Sequence, residues 1–135
     1  MAGPVTTLDL TWTGDLTFAA QTAKTTFTLD GHSTAGPSPV DALAGGLAGC
    51  MSVDVVDILR KGRHPITSLA TRLTAQRAAE TPRRFEAVTL HFVVGGDVPA
   101  EAIERAIQLS RDKYCSVWHT LRQDIAFTTT YEVIS

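Results

Sequence analysis

Apolar residues alternate with threonine and aspartate in three short runs near the start of the chain. "VTTLDLTW", "DLTFAA" and "TTFTL" predict strands over 5–12, 15–20 and 25–29, because period-two alternation is the mark of a half-buried strand. "TGD" at 13–15 and "LDGHS" at 29–33 supply turn residues, so the three strands read as an antiparallel meander. His32 falls in the second turn, where exposure to solvent is the default for a histidine.

After the loop "TAGPSP" the pattern changes. Ser38 is a candidate N-cap, Pro39 takes the first helical position and Asp41 follows three residues after Ser38, the layout of a capping box. The helix is predicted to run to Arg60 or Lys61 and to stop at Gly62, about 33 Å at 1.5 Å per residue. Its centre, "ALAGGLAG", leaves no polar face. Such a helix is expected to be buried all round, and its glycines to admit the close approach of another backbone, since each costs about 1 kcal/mol relative to alanine.

Residues 66–77 fit helix or strand, and the alternation of Thr and Leu favours strand. Residues 85–94 alternate and end at "GGD", a strand followed by a turn, with His91 on the face opposite Leu90 and Phe92. "VPAEAIERAIQLSRDKYC" is amphipathic, starting at Pro99, with Ile103, Ala106, Ile107 and also Tyr114 assigned to its apolar face. "CSVWHTL" extends it as a short or kinked helix, and 124–134 form a last strand. The order is α+β with a mainly antiparallel sheet, in one domain spanning 1–135.

Composition narrows the partners. The 135 residues carry a net charge of −2, with 44% hydrophobic and 19% charged residues, the make-up of a globular domain. The basic clusters "RKGRH" and "PRR" are small and fit solvated loops, so no nucleic-acid partner is expected. The N-terminus lacks a basic region followed by an apolar run. Asp41, Asp54 and Asp57 interrupt the long apolar helix, so no membrane partner is expected and the location is expected to be cytoplasmic. There, a cysteine pair is more often reduced, catalytic or idle than a structural disulfide.

The two cysteines are Cys50 and Cys115. A thiol peroxidase needs an attacking thiolate and a second thiol that resolves the sulfenic acid as a disulfide, and two cysteines are the minimum. Spacing alone leaves the plainer alternative that Cys50 is a small buried hydrophobe. Cys115 lies near a helix start beside Arg111 and Lys113, a setting expected to favour its thiolate. Asp54, one turn after Cys50, shares its helix face. Asp57 has Arg60 and Lys61 at helical spacing, whereas Asp54 needs a distant partner, water or a place in the site. His119 stands four residues after Cys115, but two ligands and a lone Cys50 are a thin basis for zinc.

"GPSPVDALAGGLAGCMSVDVVDILRK" resembles the central helix motif of the OsmC/Ohr family, the osmotically induced and organic-hydroperoxide-resistance proteins. "LSRDKYCSVWHTL" resembles that family's second cysteine motif, and "LTWTGDLTF" and "IAFTTTYEVI" its outer strands. The resemblance implies an OsmC-like α+β fold, with a sheet wrapped around the long central helix and two copies interwoven as a homodimer. It implies that Cys50 attacks an organic hydroperoxide and Cys115 resolves it. A dithiol reductant such as a lipoyl group resets the pair, with no metal, haem or other bound cofactor. Asp41, Asp54 and Tyr114 are the candidate supporting residues. The chain departs from the peroxidase members at two points: Val40 stands where they carry glutamate, and no arginine precedes Arg60. Those departures favour the alternative function, a non-peroxidase protein of this fold that binds a small apolar ligand at the dimer interface.

Overall fold

The computed structural model describes residues 2–134. The chain divides between Gly45 and Gly46 into two compact units. The first holds β1 (Leu8–Gly14), β2 (Thr17–Thr22) and β3 (Thr26–Asp30), paired in that order as an antiparallel sheet. The expected meander is therefore present, each strand starting one to three residues later than its pattern suggested.

Among the described residues up to Gly45, only Ala20 and Asp30 are buried, while Leu8, Leu10, Trp12 and Phe27 are exposed. Asp30 closes the following loop. Its carboxylate accepts the amide hydrogens of His32 at 2.8 Å and Ala35 at 2.9 Å, and the Thr34 hydroxyl at 2.7 Å. Those donors, Ala35 and then His32 foremost, hold its carboxyl far below the ordinary range against the cost of burial.

Helix α1 (Pro39–Lys61) starts where the capping pattern placed it. The Ser38 Oγ accepts the Asp41 amide hydrogen at 3.1 Å, which satisfies one of the first unpaired N–H groups. By length and composition α1 is apolar enough to cross a membrane. Its buried residues, however, are Leu47, Met51, Val55 and Leu59, one stripe at intervals of four, and these join the second unit's core. The expectation of a helix buried all round is corrected: Val53 is 67% exposed, and ideal β-carbons on Gly45, Gly46 and Gly49 would meet nothing within 4 Å. A sheet packed on one side of a helix covers one stripe of it, and Val53 lies off that stripe.

The second unit's sheet has the order β4 (Ile66–Arg77), β5 (Phe85–Gly96), β6 (Ala126–Ile134). The ambiguous segment 66–77 is thus a strand, antiparallel to β5. Strand β6 runs parallel to β5, which requires a long crossover. The crossover contains α2 (Ala100–Leu109), a π turn over Ser110–Tyr114 and α3 (Ser116–Thr120). Strand β5 sends Val88, Leu90, Phe92 and Val94 into the core beside the α1 stripe and beside Ile103, Ala106 and Ile107 of α2. His91 points the other way, as its alternation required, and its ring meets Thr130 Oγ1 at 2.7 Å and Glu132 Oε1 at 3.1 Å. Gly96 ends β5 at φ +114°, where a β-carbon would strike the Pro65 carbonyl oxygen, so both the backbone angle and the space call for glycine.

Candidate active site

The residues that bring a thiol into the core are set by a change of helical register. On α2 the inward positions are Ile103, Ala106 and Ile107, and the next position on that stripe is Ser110, which is fully buried. An α-helix would put Tyr114 inside one turn later. The turn instead closes as a π turn, with the Cys115 amide donating to the Ser110 carbonyl at 2.8 Å. A π turn holds one more residue than an α turn. Tyr114 is therefore 49% exposed and Cys115 enters the core with no exposed surface. Assigning Tyr114 to the apolar face is corrected for that reason.

Cys115 also caps α3, its Sγ accepting the Trp118 amide hydrogen at 3.4 Å. Cys50 sits on α1, half-buried and packed against the core cluster. The two thiols are neighbours. Burial pushes the Cys115 thiol up to about 11; the Trp118 amide opposes this, while the hydrogen-bonding and charge influence of Cys50 and the charge of Asp54 add to it. The expected thiolate at Cys115 is corrected: desolvation outweighs a short helix's cap. The two expected cations are engaged elsewhere, the Arg111 guanidinium lying 4.9 Å from the centre of the Phe127 ring and the Lys113 ammonium 5.3 Å from that of Tyr114.

Asp54 finds its distant partner. Its Oδ2 accepts the Ser110 hydroxyl at 2.7 Å, across 56 residues of chain. Asp57 is satisfied locally by Lys61 at 2.8 Å. Asp41 is exposed in the first turn of α1. His119 is exposed, and among the described residues no group of three or more metal-binding side chains forms.

Asp54 also lines a cleft of about 570 Å³ with Asp57, Ile58, Lys61, Arg105, Leu109 and Tyr114. Neither cysteine lines it; Asp54, one turn from Cys50, and Tyr114, next to Cys115 in the chain, do. Two residues of this region, Ser110 beside Asp54 and Arg105 in the cleft, escaped the sequence reading. Ser110 carried a usable signal, a hydroxyl in step with the apolar stripe of α2, which implies a buried polar group that needs a partner. Arg105, on the polar side of α2, carried none.

The family described as OsmC-like protein matches residues 30–130. Protein YhfA of Escherichia coli (strain K12) is 39% identical over 127 residues, covering 92% of this chain and 95% of that protein. A crystal structure of a hypothetical protein from Aquifex aeolicus VF5 is 27% identical, covers 98% of each chain and has a TM-score of 0.90. A crystal structure of an organic hydroperoxide resistance protein OsmC from Legionella pneumophila covers 98% of this chain and 100% of that one with a TM-score of 0.71; at 14% identity it is a likeness of fold.

Proposed function

Because the chain belongs to the OsmC-like protein family, we propose that it is a thiol-dependent peroxidase that reduces organic hydroperoxides in defence against oxidative stress. The observation that carries this reading is the unequal exposure of two neighbouring thiols, Cys50 partly open and Cys115 sealed. An attacking sulfur must meet a peroxide, whereas a resolving sulfur need only meet its neighbour. The Cys50 thiolate attacks the O–O bond; a sulfur–oxygen bond forms, and the alcohol leaves with a proton. The Cys115 sulfur then attacks the Cys50 sulfenic acid. The disulfide forms, and the departing hydroxide takes up the Cys115 proton as water. An external dithiol, such as a lipoyl group, reduces the disulfide, and no bound metal or cofactor takes part. The cycle belongs in the cytoplasm, where both thiols are kept reduced.

The test is one equivalent of an organic hydroperoxide on the reduced protein, followed by intact mass and free-thiol count. The expected result is the loss of two hydrogens and both thiols, with matching loss of peroxide. Cys50→Ser is expected to abolish peroxide consumption, and Cys115→Ser to leave a sulfenic acid that a dimedone-type trap captures. Unchanged thiols and peroxide in the wild type would overturn the activity. The alternative of apolar-ligand binding fits the cleft beside Asp54 poorly, because Asp54, Asp57, Lys61 and Arg105 line it.

The functional unit in this reading is a homodimer. Support comes from the uncovered apolar face of α1, with Val53 exposed and Gly46 and Gly49 unobstructed. The exposed Leu8, Leu10, Trp12 and Phe27 of the first sheet add to it, since a three-stranded sheet needs an apolar face covered to be stable.

A further inference from the structure

Asp54 lies one turn beyond Cys50 on α1, so both side chains share a face. Its carboxylate holds the Ser110 hydroxyl at 2.7 Å. The carbonyl of that serine accepts the Cys115 amide hydrogen at 2.8 Å, closing the π turn. Ser110 and Cys115 both have no exposed surface. A continuous polar bracket therefore runs from the helix of one thiol to the backbone of the other. Without Asp54, Ser110 would be a buried hydroxyl lacking this partner, and the turn would lose its tether to α1.

We infer that Asp54, acting through Ser110, is a positioning residue that holds Cys115 at disulfide-forming range of Cys50. This rests on the reading of the two cysteines as a redox pair. It adds that their closeness is set by a hydrogen-bonded bracket and not by packing alone. Asp54 reaches Cys115 through Ser110 and so is not itself a catalytic residue.

The test needs no peroxide. Diamide, an azo compound, takes two hydrogens from a dithiol across its N=N bond and becomes a hydrazine while the S–S bond forms. Protein oxidised in this way is equilibrated in buffers of reduced and oxidised dithiothreitol, and the disulfide fraction is read by alkylation and mass. Ser110→Ala and Asp54→Ala are expected to shift the equilibrium toward the dithiol about tenfold or more, the scale of losing a hydrogen bond to a charged group. Ser52→Ala is the control. It removes another hydroxyl contact of α1, the 2.7 Å bond to Thr71, and is expected to leave the equilibrium unmoved.

If the alanine variants fail to fold, Asp54→Asn carries the test: it keeps an acceptor for Ser110 but loses the charge that strengthens the bond, and a smaller shift in the same direction is expected. Three results would overturn the inference: a wild-type equilibrium in the folded variants, an equal shift in Ser52→Ala, or a wild type that forms no Cys50–Cys115 disulfide with diamide. A diamide disulfide that forms normally in a protein unable to consume hydroperoxide would sink the proposed activity, not the bracket.

Discussion

Cys115 and Asp30 are both held in one protonation state by their surroundings, with opposite signs. Burial raises the Cys115 thiol from its ordinary 9.0 to about 11. Its contribution to stability is fully present below pH 9, and is lost as the pH rises through 11, because the unfolded chain releases the proton first. Chemical unfolding across pH 8–11 is expected to show this decline, and Cys115→Ser is expected to flatten that part of it. The Asp30 carboxyl is shifted the other way. Its contribution is present above the unfolded value near 3.8 and is lost as the pH falls through its much lower folded value. Asp30→Asn is therefore expected to destabilise the protein at pH 7, with the gap to wild type closing in strong acid in thermal unfolding scans. At this scale the sequence was partly legible. The two cysteines stood out by rarity and motif. Ser110 offered only its step on the α2 stripe, since the carboxylate that accepts its hydroxyl lies 56 residues away. The charge expected to favour a Cys115 thiolate was misread, because Arg111 and Lys113 are near Cys115 in sequence but rest over aromatic rings.

Among the elements, α1 shows why pattern alone reads existence better than environment. Its start at Pro39 and end at Lys61 followed from local capping and a terminal glycine, which act within one turn. Its burial did not, because the cover for an apolar face has to come from elsewhere. Alanine in mid-helix gains about 1 kcal/mol over glycine when the face is free. If a second copy packs on that face, added β-carbons push it away. The double variant Gly46→Ala, Gly49→Ala is therefore expected to shift the protein toward monomer in sedimentation velocity while leaving each chain helical by circular dichroism. The strands were legible by alternation, down to His91 facing away from Leu90 and Phe92. The parallel pairing of β5 with β6 was not, since alternation looks the same in either direction and the crossover decides it.

For the whole molecule, the family assignment was legible because its motifs lie in the two segments that carry the cysteines, and the fold likeness extends across 98% of the chain. Which apolar residues of α1 and of the first sheet stay exposed was not legible, because alternation and capping say nothing of what packs on a face. The π turn has a consequence of another kind, in heredity. The stretch between Ser110 and Cys115 holds one residue more than an α turn spans, so the π turn absorbs a single codon and still delivers the thiol to the core. Deleting exposed Lys113 is expected to restore an α-helical turn and bring the tyrosine and cysteine each one step earlier in register. The cysteine would then stand one α turn after Ser110, still on the inward stripe, and is expected to resist an aromatic disulfide reagent in the folded state as wild-type Cys115 does. A lineage could gain or shed that codon by one in-frame insertion or deletion and keep the buried thiol.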